Sequence, residues 1–371
     1  DKHHGKSYFD RIAQDISSPK SAGGLMRRPF TFMQYGDLGT IVSNAMQHLA
    51  QCVDDIAAIR SMFNSHPNHE PALFKIHSGR LLPGRPSMAS WVVYALGSEN
   101  QNLPAYVVLD DPLGLPVNTV QSWQSGFLPP VYQGTRIRST GSPILNLHPE
   151  TPDPPRVAQL QRNLLSTIDQ IHRRKRPNTL QLDARINSYQ LAGRMQLEAT
   201  DALDVNQESQ ATLDAYGVGK EPTDSYARRC LMARRLIERG VRVVKLFHSS
   251  WDHHSRINTS LPHNCLMADQ PIAALIKDLK QRGLLDETLV VAMGEFGRTP
   301  KMGQVTVGAA TTPGGRDHWS HCYTILMGGA GIQPGTVFGS SDSHAGYPAS
   351  NPVTPEDVVA TIYYAMGLDP E

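Results

Sequence analysis

Cysteine is scarce in this 371-residue chain. The four present, Cys52, Cys230, Cys265 and Cys322, are scattered and form no C-x-x-C pair. That argues against a zinc ribbon or a redox motif; they read as buried free thiols, with a single disulfide left open. Charge of one sign is also missing. Thirty-five Lys and Arg against 34 Asp and Glu leave a formal net charge of +1, so neither nucleic acid nor a membrane surface is an expected partner. The local run Arg173, Arg174, Lys175, Arg176 reads as a solvated helix end. No apolar run approaches the ~20 residues a membrane helix needs. No glycine-rich phosphate cradle follows a strand, and no repeat or low-complexity tract is visible. The start, "DKHHGKSYFD", has no signal-peptide pattern and no initiator Met, and reads as a trimmed end.

What is present is a globular composition, 40% hydrophobic and 19% charged, in a chain long enough for one large α/β domain. The pattern alternates helices and strands. Helices are predicted at 43–58, with Ala45, Met46, Leu49, Val53 and Ile56 on one face, then from Pro71 to Gly79, and over 87–97. A strand follows at 105–109. Residues 110–155 are rich in Pro, Gly and Ser and read as a surface excursion, continued to about 220 by helices at 155–175, 180–202 and 206–216. Asp224 caps a helix that Gly240 stops. Strands at 241–247, 288–293 and 323–328, a helix at 263–282 and a last helix capped by Thr354 complete the order. Strand, helix, strand in this rhythm implies right-handed crossovers and a mostly parallel sheet covered on both faces.

In such sheets the site lies outside the carboxyl ends of the strands. Asp252, His253 and His254 follow one predicted strand, and Glu295 follows another in "TLVVAMGEFGR". Asp317, His318 and His321 occupy the loop that feeds 323–328. A carboxylate between two glycines, as Glu295 is, is costly to bury without a partner. Carboxylate and imidazole converging from separate loops suit Zn²⁺ or Mn²⁺ rather than Ca²⁺.

"LLDETLVVAMGEFGRTP", "GRDHWSH", "WDHH", "PVTPEDVVATIYYAMGLDP", "RPSMASWVVYALGSENQNLPAYVVL" and "WQSGFLPPVYQG" together resemble a large bacterial family of secreted sulfatase-like proteins. That family is labelled domain of unknown function 1501, within the alkaline phosphatase superfamily. The resemblance covers nearly the whole chain. It implies a three-layer α/β/α sandwich over residues 1–371 and a periplasmic or secreted setting. It also implies metal-assisted chemistry on phosphate or sulfate esters, either small anionic esters or a sulfated or phosphorylated saccharide.

Carried residue by residue, the resemblance implies one divalent ion held by Asp252, His254, Glu295 and His318. Phe296 stands where a second ligand normally stands. "HEPALFKIHSG" has the spacing of the sulfatase signature, with His69 in the nucleophile's place and Leu73 in that of the signature arginine. His69 cannot become formylglycine; nucleophile, general base and metal ligand all remain open to it. Asn68 and His69 would bind an anion at a helix N-terminus, and Arg298 would neutralise the transferred group. The family's first strand, with its Gly-Gly-Pro-Ser and early Asp, has no counterpart in this sequence. A metal-dependent hydrolase and a catalytically inactive binding protein on the same scaffold both fit.

Overall fold

The computed structural model describes residues 30–138, 143–144, 151, 153–307 and 314–369, with the side chains of 196–198 left out. The predicted trimmed end lies outside them. The elements run β1 (Phe32–Tyr35), β2 (Thr40–Ser43), β3 (Ile56–Met62), α1 (His69–Ser78), α2 (Met88–Leu96), β4 (Tyr106–Leu109), β5 (Thr135–Ile137), α3 (Pro155–Lys175), α4 (Leu180–Leu203) and α5 (Gln210–Tyr216). They continue with α6 (Asp224–Glu238), β6 (Val243–Leu246), α7 (Ile257–Gln281), β7 (Val290–Ala292), β8 (Gly297–Arg298), β9 (His318–Trp319), β10 (Tyr323–Gly328), β11 (Val337–Phe338), β12 (Ser340–Ser341), β13 (Pro348–Ser350) and α8 (Pro355–Ala365).

Local chemistry sets several boundaries. Ser87 caps α2 by accepting from the Ser90 N–H, and Thr354 with Asp357 forms a reciprocal capping box at α8. Gly79, at φ +71°, ends α1 in the left-handed conformation that glycine adopts most cheaply.

The fold is mixed α/β. Parallel pairing joins β4 to β5 and to β6, and also joins β11 to β3. In the larger ladder, ordered β11-β3-β10-β7, β10 runs antiparallel to both neighbours. The mostly parallel central sheet expected from the sequence is therefore only partly present among the described residues. The two larger sheets, β5-β4-β6 and β11-β3-β10-β7, are nevertheless covered on both faces. Val107 and Leu109 of β4 pack into a cluster with α6, whereas Tyr106 and Val108 pack with Ala89, Val93 and Trp123. This is the period-two alternation of a strand buried on both sides. Likewise Ile56, Leu326 and Val290 face Ala273 and Ile276 of α7, while Ala57, Ile59 and Ile325 face Val358 of α8.

The helix predicted at 43–58 is absent. A single 3₁₀ stretch covers Leu49–Asp55, and β3 begins at Ile56. The carboxylate of Asp269 takes the N–H groups of His48 and Leu49 at 2.8 and 2.7 Å, donors that the first turn would otherwise leave unsatisfied. From Ile56 onward the chain is paired on both edges. Leu49, Val53 and Ile56 are buried as expected, so the apolar face was legible and the element type was not. The helix predicted from 206 starts at Gln210 instead, where Ser209 caps it. Inside the predicted excursion, β5 joins the parallel sheet. The cysteines are free thiols, three buried and Cys322 half-buried.

Candidate metal centre

Three loops meet beside the N-terminus of α1. Two glycines let them approach. A Cβ on Gly315 would lie 1.9 Å from the His254 carbonyl oxygen, and one on Gly297 would lie 2.4 Å from that of Cys322. The β8–β9 pairing sets Arg298 opposite His318 and Gly297 opposite Trp319. Two motifs distant in sequence are thereby locked side by side. The Arg316 N–H donates to the His253 carbonyl at 3.1 Å, tying in the third loop.

Asp252 is the hub. Its Oδ1 lies 2.9 Å from His254 Nε2 and 3.1 Å from His318 Nε2, and it also receives the Arg298 guanidinium. Its Oδ2 lies 3.2 Å from His69 Nε2. His254 Nε2 and His318 Nε2 stand 3.1 Å apart. By spacing, His69, Asp252 and His318 form one triad able to hold an ion, and His254, Asp317 and His318 form another.

Two of the three rings are braced from behind. His318 Nδ1 donates to the Pro67 carbonyl at 2.8 Å, and His69 Nδ1 lies 2.5 Å from Glu295 Oε1. His254 Nδ1 has no hydrogen-bond partner, its nearest acid being Asp317 at 3.7 Å. Asp317 is fully buried and holds the Thr306 and Val307 N–H groups at 2.7 and 3.2 Å. Imidazoles oriented by a carboxylate or carbonyl on the far nitrogen are the usual outer support of metal-binding histidines.

The donor set fits a cation on its own chemistry. A carbonyl only accepts, so neutral His318 carries its proton on Nδ1 and turns a lone pair on Nε2 toward His254 Nε2 and an ionised carboxylate. Acceptors at these separations repel unless a positive charge lies among them. Donors about 2.0–2.2 Å from a tetrahedral Zn²⁺ stand roughly 3.3–3.6 Å apart, so distances of 2.9–3.1 Å need only slight expansion.

The structure brings Asp252, His254 and His318 together and sets Glu295 behind His69, one residue away from them. Among the sequence-based expectations Glu295 was a direct ligand. Its Oε1 lies 2.5 Å from His69 Nδ1, and the extra methylene over Asp supplies the reach. Arg298 contacts Asp252 and the Arg316 carbonyl. Asn68 sits at the cap of α1 without a side-chain capping bond. The Phe296 ring stacks 4.6 Å from His318 and 5.0 Å from His69, an apolar wall.

Charge follows this geometry. Burial lowers the His69 pKa, but hydrogen bonds and charges from Asp252 and Glu295 outweigh it and raise it to about 9. Burial opposes ionisation of Asp252, yet hydrogen bonds that His318 and His69 donate as imidazolium ions, with the charge of Arg298, hold it well below the usual carboxylate range. Burial lowers the pKa of His254, which favours the neutral ring that a metal requires.

Asn64 was missed from sequence. It sits just after β3, donates its amide to the Glu295 carbonyl at 2.9 Å and its N–H to the Ser320 carbonyl at 2.7 Å. Only recognition of β3 would have flagged it. Next to Asp252 opens a polar cleft of about 540 Å³, lined by Ser250, His253, Thr259, Ser260, His263 and Asn264.

The family model described as "Protein of unknown function (DUF1501)" matches residues 1–371. The chain belongs to that family. No curated protein matches it. Among solved structures, "Crystal structure of Ps i-CgsB" is similar at 13% identity and TM-score 0.40, covering 88% of this chain and 67% of that one. The same protein "in complex with k-i-k-neocarrahexaose" is similar at 14% identity and TM-score 0.39, with the same coverage.

Proposed function

We propose that this DUF1501 chain is a metal-dependent hydrolase of phosphate or sulfate esters, sulfatase-like but without a formylglycine. Its scaffold is an alkaline phosphatase-like α/β/α sandwich, in a periplasmic or secreted setting. The observation that carries the reading is the convergence of His254 Nε2, His318 Nε2 and Asp252 Oδ1 within 3.1 Å of one another. Three protein donors with one open position is the arrangement of a catalytic rather than a structural ion.

Those three residues would hold one Zn²⁺ or Mn²⁺, which when bound polarises an ester oxygen and acidifies water. His69, steadied by Glu295, presents Nε2 to the other side of Asp252. There, in its neutral form, it takes the proton of the attacking water as the water oxygen bonds to phosphorus or sulfur, and the ester oxygen departs with the alcohol; with a His69 pKa of about 9, this step gains as the pH rises toward that value. Arg298 supplies positive charge beside the reacting group. The phenyl ring of Phe296 has no lone pair to offer, so one ion per chain is expected. The neighbouring cleft, lined by hydroxyl, amide and imidazole groups, suits the polar alcohol portion of a small anionic ester or of a sulfated or phosphorylated saccharide.

One observation favours a binding protein on the same scaffold: Arg298 is already engaged by Asp252 and a carbonyl. A single experiment separates the two. Protein loaded with zinc or manganese and dialysed is assayed for metal content and for hydrolysis of aryl phosphates and aryl sulfates. Close to one equivalent is expected in the wild type and in His69→Ala, with loss in His318→Ala and turnover by the wild type alone. Retained metal without turnover of any ester selects the binding protein. No retained metal, or turnover that survives His69→Ala, overturns the proposal.

A further inference from the structure

Helix α3 is built the wrong way round for a monomer. None of its residues is buried. Its half-buried positions, Ala158, Ser166, Asp169 and His172, are mostly polar. On that same side Arg173 pairs with Asp183 of α4 at 2.7 Å. Leu165, 60% exposed, lies toward that side too; the other large apolar positions, Val157, Leu160, Leu164, Ile168 and Ile171, are 41% to 62% exposed. At 3.6 residues per turn they fall within about 80° of the circumference, on the side away from the α4 contacts. A stripe that narrow has the width of a helix–helix seam rather than of a core-facing surface.

The spacing of the stripe is 3, 4, 4, 3, which reads the same in both directions about Leu164. Only an antiparallel pairing of two identical helices uses that symmetry. We propose that α3 is the contact through which this chain pairs with a second copy of itself, across a two-fold axis at Leu164. Val157 then meets Ile171 of the second copy, Leu160 meets Ile168, and Leu164 meets its own counterpart, as a self-complementary interface requires. The charges agree. Arg173, Arg174 and Lys175 crowd the last turn. Parallel pairing would superimpose the two basic ends, whereas antiparallel pairing separates them and sets Lys175 opposite Asp153 of the second copy. A seam about 31 Å long buries roughly 600 Å² in total, below the ~1,200 Å² of a standard stable interface. The association is therefore weak and concentration-dependent.

The test is sedimentation equilibrium from about 1 μM to a few hundred μM. The expected result is a rise from monomer to twice the chain mass, abolished by Leu164→Asp with an unchanged circular dichroism spectrum. Mild oxidation should give a covalent dimer from Leu164→Cys, where the two thiols meet at the axis. It should give none from Gln159→Cys on the far side of α3, nor from the wild type. The double swap Lys175→Asp with Asp153→Lys should restore what either single change weakens. A monomer at every concentration overturns the proposal, as does a dimer indifferent to Leu164→Asp. So does a monomer that anionic vesicles capture through Leu164, since the stripe then serves a lipid surface.

Discussion

Two polar clusters gather around the chain that follows β6 and obey opposite rules. In one, Arg229 of α6 and Asp111 are each 3% exposed at the side chain and 3.2 Å apart. The guanidinium also reaches the carbonyls of Asp110 and Phe247, and Asp111 accepts the N–H groups of Leu113 and Ser249 at 2.9 and 3.0 Å. Charge and hydrogen bonds are satisfied together. In the other, His254 Nδ1 and His253 Nε2 have no partner, two ring nitrogens face one another, and Asp252 is 44% exposed. A saturated cluster holds a fold; one with converging, unspent lone pairs is poised for a ligand.

The sharpest way to break this contrast is Arg229→Ala. It leaves Asp111 charged and buried without its cation, a change that costs about 3–5 kcal/mol. Chemical denaturation should show that loss, with Asp252, His254 and His318 untouched. A loss below about 1 kcal/mol would mean that water reaches Asp111 and that the two clusters do not differ in kind.

The sequence announced the converging acids and imidazoles through "WDHH", "GEFGR" and "GRDHW", because such side chains stand out at strand ends. It could not announce which atoms meet. Asp252 is the hub because the β8–β9 pairing and two glycine contacts bring three loops within one carboxylate's reach, and neither feature has a periodicity to read. Glu295 was assigned to the ion by analogy with an Asp, but a side chain one methylene longer meets His69 first. The segment leading into β3 failed differently: Leu49, Val53 and Ile56 fit a helical face, and that fit hid the strand starting at Ile56. Helix α3 was read at its actual bounds, while its outward-facing apolar stripe shows only once α4 is in place.

Lys245 tests the middle ground between the clusters. It is half-buried on β6, donating to the Ser122 carbonyl at 2.9 Å, and burial of its amine lowers its pKa from 10.5 to about 7. Between about pH 7 and 10.5 the unfolded chain therefore binds more protons at this residue than the folded one, so stability rises with pH across that window. The penalty is full below the folded pKa and vanishes above the unfolded one. Lys245→Met should stabilise the protein by roughly 1–3 kcal/mol near neutral pH, with the gain fading toward pH 10.5. A gain independent of pH would show that Lys245 keeps its charge in the fold.

The smallest effect on the fold is expected from Asp252→Asn, although Asp252 has more partners than any other residue of the site. Its exposed edge lets water replace much of what Arg298 and the imidazoles supply, so the metal-free protein should change by less than about 1 kcal/mol. Arg229 has no such recourse, and that is the comparison in its strictest form. Zinc should then separate the two proteins. A ligand at one hundred times its Kd stabilises the native state by about 2.7 kcal/mol, and the wild type should gain an increment of that order. Asp252→Asn, with the central carboxylate replaced by a neutral amide, should gain little. Thermal melts of both proteins with chelator and with zinc give the four values needed. Equal zinc increments would remove Asp252 from the ligand set. A large loss in chelator alone would place Asp252 among the residues that hold the fold, beside Asp111.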